Sequence, residues 1–150
     1  MAHLKESILI NASVEKVNAV VRDPRNWATF ITGMSQPEKI SGEGGVGTAA
    51  DHRMALMWGI RRPATTKVSQ ERHDPDGSTF WRWEQEGTAP AWWTCYHQPR
   101  QEGTLATSEL EYTLSWGILG KACDRLFAAR TQRRAMRQTM ENVKRLAEKS

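Results

Sequence analysis

Hydrophobic positions along this chain recur with two different periods, and the places where the period changes mark out its elements. Between Leu4 and Asn11, Ile8 and Ile10 alternate with Ser7, Leu9 and Asn11, the pattern of a half-buried strand. Ser13 then supplies a helix N-cap, and Val14, Val17, Val20 and Val21 follow at helical spacing until the Asp23-Pro24 pair stops them. The residue before a proline is pushed out of helical backbone, so the stop is sharp. A second short helix is predicted from Pro24 to about Ile31, closed by Gly33.

From Gln36 to Trp116 the period shortens to that of strands separated by turn residues. The predicted strands are Glu38 to Ser41, Thr48 to Met57, Thr65 to His73, Thr79 to Glu86, Trp92 to Gln98 and Ala106 to Trp116. Asp74-Pro75-Asp76-Gly77, Gly87 and the stretch from Pro99 to Gly103 punctuate them as turns. Hairpins at this spacing form an antiparallel meander. The last strand alternates most cleanly, with Leu110, Tyr112, Leu114 and Trp116 opposite Glu109, Glu111, Thr113 and Ser115, so one sheet face is wet and the other dry.

The stretch from about Leu119 to Lys149 contains a single glycine, Gly120, and no proline, and reads as one long helix. Leu119, Ala122, Leu126, Ala129, Met136, Met140, Val143 and Ala147 fall in one broad stripe at about 100° per residue. The order β-α-α-β6-α makes an α+β chain in which a curved antiparallel sheet of about seven strands needs that helix to cover its dry face.

These residues resemble the SRPBCC superfamily, the START-like group of polyketide cyclase/dehydrase and lipid-transport proteins. The likeness is carried by Ile8 to Val17, by Arg22-Asp23-Pro24 with Trp27 and Phe30, by Gly45-Val46-Gly47-Thr48, by Gly103-Thr104 and by the basic helix ending Leu146-Ala147-Glu148. It spans essentially the whole chain and implies a helix-grip fold, with the sheet wrapped around the C-terminal helix. It further implies a cavity between the two for a lipid or an aromatic polyketide-like molecule, carried, sensed or chemically altered there. In aromatase/cyclase relatives a basic residue late in one strand points into the pocket. The best-matching position here is Glu71, with Arg72 on the opposite face, a departure from that pattern.

Composition narrows the setting. A chain of 150 residues is the size of one domain. No window reaches the length and apolarity of a membrane span, and the start of the chain lacks a secretory signal pattern, so the expectation is a cytoplasmic protein. Cys95 and Cys123 have no CxxC spacing and are expected to be reduced. Residues 121–150 carry nine Lys/Arg against three Asp/Glu, which confines the excess positive charge to the C-terminal helix. Arg130, Arg133, Arg134 and Arg137 read first as a solvated helix face. Transient docking to an anionic membrane or an acceptor protein is the minority reading, and no nucleic acid is expected because the aromatic residues lie elsewhere. Monomer and homodimer both remain open.

Seven tryptophans are a heavy load for this length. Trp81 and Trp83 alternate on one strand and Trp93 lies on the next, placing three indoles on one wall, either as core filling or as a surface for a planar or lipidic ligand. Met54, Tyr112 and Leu126 complete that wall in the ligand reading. Trp27 and Phe30 stand either as gate or as anchor. His52, Cys95 and His97 are candidates for inward strand faces. Cys95 and His97 share the i, i+2 spacing of a metal pair but lack further ligands, so neither a metal nor any cofactor is expected. His97 as a neutral imidazole is the candidate general base. Arg133 lies inside the apolar stripe, where a guanidinium needs an acceptor, and stands as a candidate for the cavity beside the alternative that its stem runs out to water. Should the pocket be catalytic, the groups able to move protons are His97, Glu71 and Arg133.

Overall fold

The computed structural model describes residues 2–55, 60–87, 89–113 and 127–150. Strand β1 (Ala2–Ile10) leads into helix α1 (Val14–Arg22), a 3-10 turn (Pro24–Asn26) and the single-turn helix α2 (Trp27–Phe30). Six strands follow: β2 (Lys39–Ser41), β3 (Ala49–Ala55), β4 (Arg61–His73), β5 (Thr79–Gly87), β6 (Ala91–Arg100) and β7 (Gly103–Tyr112). Helix α3 (Ala129–Lys149) ends the chain. Ser13 caps α1 by accepting a hydrogen bond from the Lys16 amide, and Asp23 both ends α1 and accepts from the Arg25 amide to start the next turn.

All strands pair antiparallel in the order β1-β7-β6-β5-β4-β3-β2. Strand β7 therefore returns to lie beside β1, and α1 and α2 fill the crossover between β1 and β2 over one end of the sheet. Strand β4 starts at Arg61, four residues before the alternation predicts, and runs through Pro63. The reason is tertiary: β3 pairs with it as far as Ala55 opposite Arg61. Helix α3 begins, among the described residues, with a wider turn at Phe127 and Ala128. The expected helix start from Leu119 to Leu126, the strand ends at Met57 and Trp116, and Cys123 lie outside the described residues.

Register shows which side chains share the concave face. Thr79, Trp81, Trp83 and Gln85 on β5 stand opposite His97, Cys95, Trp93 and Ala91 on β6, and these in turn face Ala106, Ser108, Leu110 and Tyr112 on β7. A bulge between Val68 and Gln70 resets β4, so Val68 and Glu71 pair with Trp83 and Trp81 and both belong to this face. The core sits beneath α1, α2 and the C-terminal half of α3. Ile10, Val17, Trp27, Val68, Trp81 and Ala147 are fully buried there, while Leu4, Tyr112, Met136 and Met140 form a second cluster nearer the start of α3. No helix among the described residues is long and apolar enough to cross a membrane.

Candidate ligand cavity and its inner recess

The core does not fill the whole space between sheet and helix. A chamber of about 510 Å³ lies between α3, the β3 to β7 strands and the segment after α2. Trp83, Trp93, Leu110, Tyr112, Met54 and Met136 give it an apolar wall, relieved by Thr66, Gln85, Thr131 and Gln132. Arg62 lies at its margin and makes no ion pair or hydrogen bond among the described residues. A second, smaller recess of about 30 Å³ lies deeper, lined by Trp27, Phe30, Cys95, His97, Ser108 and Val143 among others. Both spaces border Ile31, Trp83, Trp93 and Thr139.

Polar groups at the recess are held by a network that starts on α1. The Asn18 side-chain oxygen meets the Thr79 hydroxyl at 2.9 Å, Trp81 Nε1 at 3.3 Å and His97 Nδ1 at 2.8 Å. An indole nitrogen can only donate, so the Asn18 atom is its carbonyl oxygen, and His97 Nδ1 must carry the proton it donates. The neutral ring then has a bare lone pair on Nε2. Burial pushes the His97 pKa down to about 4, so the ring is neutral at pH 7. Nothing among the described residues donates to Nε2. Beside it, Cys95 Sγ and Ser108 Oγ lie 3.3 Å apart, and burial raises the thiol to about 12, which keeps it protonated. The whole recess is therefore uncharged.

The sequence candidates divide by location. Trp83 and Trp93 border both spaces, Met54 and Tyr112 the chamber, and Trp27, Phe30, Cys95 and His97 the recess. Trp27 and Phe30 are buried, with Trp27 Nε1 donating to the Val21 carbonyl at 2.9 Å, so they anchor α2 and form an inner wall rather than a gate. Trp81 is core: it stacks on Trp83 and ties to Asn18 without reaching either space. His52 faces inward and bonds Thr66 Oγ1 at 2.8 Å, one step behind the chamber wall, with burial lowering its pKa. Leu126 lies outside the described residues.

Two expectations require correction. Arg133 does not enter the cavity: it is partly exposed and pairs with Glu6 of β1, whose other oxygen meets Arg137 Nε at 3.3 Å. Glu71 lies on the concave face but beyond the chamber, where Arg22 Nη1 at 3.3 Å and His73 Nε2 at 2.7 Å engage its carboxylate. The reason for the first is rotation of α3. Its apolar centre, Met136, Met140, Val143 and Ala147, faces the core. One flank, Arg133, Arg137, Lys144 and Glu148, lies along β1, where Lys144 donates to the Leu9 carbonyl and Glu148 accepts from the Asn11 amide, both at 2.9 Å. The opposite flank, Thr131, Gln132, Ala135 and Thr139, lines the chamber. Those four, Asn18 and, on the strands, Arg62, Thr66, Gln85 and Ser108 are among the site residues that sequence reasoning missed.

Among solved structures the chain is similar to TTHA0849 from Thermus thermophilus, 16% identical, with TM-score 0.75 over 97% of each chain. It is also similar to a fragment of a STAR-related lipid transfer protein from Xanthomonas axonopodis, at 12% identity and TM-score 0.77, covering 97% of this chain and 85% of that one. The KanY protein, 20% identical, matches over 99% of both chains with TM-score 0.73. At these identities the likeness is one of fold, an α+β helix grip. No curated protein matches the sequence. The family described as polyketide cyclase / dehydrase and lipid transport matches residues 1–148.

Proposed function

Because this chain belongs to the polyketide cyclase / dehydrase and lipid transport family, we propose that it encloses a small hydrophobic ligand between sheet and α3 and serves as a carrier or sensor of it. The observation that supports this reading is the chamber of about 510 Å³ with its mainly apolar wall. Protein interiors are packed to the density of organic crystals, and a void this large forgoes the dispersion contacts its lining would otherwise make. Its size falls within the range of about 300–1,000 Å³ that accommodates drug-sized ligands. The cyclase or dehydratase alternative draws on fewer groups. Of the three proton-moving candidates, His97 alone borders either space, since Glu71 and Arg133 hold their ion pairs elsewhere.

The test uses the neutral fluorophore N-phenyl-1-naphthylamine. Saturable binding with one site per chain, accompanied by energy transfer from tryptophan, is the expected result. Ala135→Phe, which places a ring in the chamber from the α3 wall, should abolish that binding while leaving a cooperative thermal transition. No saturable binding, or binding indifferent to the filled chamber, would sink the reading.

A further inference from the structure

The recess differs from the chamber in holding the His97 imidazole, whose acceptor nitrogen receives no hydrogen bond from the described residues. His97 is 2% exposed, its Nδ1 proton is committed to Asn18, and its Nε2 lone pair is unmatched among the described residues. An acceptor that opens only onto a small apolar recess gains free energy from a partner able to donate to it. We propose that the recess receives the polar end of the ligand, and that this end is a neutral hydroxyl, phenolic or alcoholic, donating its proton to His97 Nε2. The inference rests on the cavity reading and names the ligand class within it.

Chemistry at the recess disfavours charged and bulky head groups and prefers one that can donate. About 30 Å³ has room for a group of one or two heavy atoms and none for a phosphate. A carboxylate would be buried with no cation, because the described lining of the recess contains no Lys or Arg. An ammonium would be equally stranded, as no Asp or Glu is present in that lining either. A ketone or ether oxygen only accepts: it could meet the Trp93 indole N–H, which borders both spaces and lacks an acceptor among the described residues, but it would leave His97 Nε2 without a donor. A hydroxyl is small, uncharged and able to donate. It also retains a lone pair for the Ser108 or Cys95 hydrogen. The rest of such a molecule has its place already, since the recess and the chamber share Ile31, Trp83, Trp93 and Thr139 as walls.

Three probes of nearly equal shape separate the terms: 4-pentylphenol, pentylbenzene and 4-pentylanisole, whose oxygen carries no proton. Calorimetric titration of the full chain and of His97→Phe gives a Kd ratio, pentylbenzene over phenol, for each protein. That ratio should fall about tenfold in the variant, mostly through weaker phenol binding, and the anisole should follow pentylbenzene. A second readout needs no substitution. In ¹⁵N-labelled wild-type protein the His97 Nε2 resonance should shift when the phenol binds and stay in place with pentylbenzene. A Kd ratio unchanged by His97→Phe, an anisole bound as tightly as the phenol, or a resonance blind to the phenol overturns the hydroxyl subsite and leaves the cavity reading standing. Failure of all three probes to bind overturns the cavity reading itself and this inference with it.

Discussion

Burial of the His97 imidazole links folding to pH through one proton. In the unfolded chain the ring protonates near its ordinary pKa of about 6.5, whereas in the fold burial holds it down to about 4. Between those values the unfolded state binds the extra proton, so the stabilisation present above about pH 6.5 is lost as pH falls toward 4, in total roughly 3 kcal/mol. Burial lowers His52 as well, so it adds loss of the same sign. Thermal melts from pH 7 to 4 should therefore show wild-type protein losing more stability than His97→Phe by roughly 2 to 3 kcal/mol, with a residual slope left by His52. Equal slopes would mean that the ring is not held neutral. Arg133 obeys a different logic. Burial works to raise the Glu6 carboxyl, yet the hydrogen bonds and charges of Arg133 and Arg137 together outweigh it and hold the group below its usual range. Arg133→Met leaves Arg137 in place, so the expected cost is at most about 1 kcal/mol in chemical denaturation. Affinity for 4-pentylphenol should stay unchanged, and a drop would put the guanidinium back in the ligand site.

At the scale of elements, α3 shows where sequence reading succeeds and where it stops. Periodicity located the apolar centre at Met136, Met140, Val143 and Ala147, because burial against a core requires only a stripe. It did not rank the flanks. Whether Arg133 or Thr131 turns to the cavity depends on β1 offering Glu6 on one side and on the chamber lying on the other, facts of tertiary placement. Met140→Asp tests the centre: it buries an uncompensated carboxylate beside Leu4 and Tyr112 and should cost several kcal/mol, read as a lowered denaturation midpoint. The strands were legible from alternation, and their ends were not, since β4 gains Arg61 to Ala64 by pairing with β3. Asn18 was invisible because its role arises where α1 meets β5 and β6, between residues 61 to 79 positions apart. The β6 to β7 turn was visible from Gly103, and the structure adds its reason. A Cβ there would lie 2.1 Å from the Ile10 carbonyl oxygen, with φ at 139°. Gly103→Ala should accordingly destabilise by more than about 2 kcal/mol, since backbone must move to admit it.

For the molecule as a whole, an unfilled interior ties stability to occupancy. A ligand that binds only the folded chain at a hundred times its Kd adds about 2.7 kcal/mol. For a chain of this length that corresponds to a Tm rise of about 5 to 10 °C. Differential scanning calorimetry with 4-pentylphenol should show such a rise in wild-type protein and little or none in Ala135→Phe. The helix that walls the chamber has one more effect, on how copies of this chain meet each other. An open sheet has two borders, and each is a template onto which a neighbouring chain can add a strand. Here one border is β2, only three residues long. The other is β1, whose Leu9 carbonyl, with the Asn11 amide just beyond its end, already holds α3 side chains, Lys144 and Glu148, as partners. The charged flank of α3, read from sequence as a solvated face, thereby occupies backbone groups on which a foreign strand would begin to pair, and guards the longer border of the sheet against aggregation.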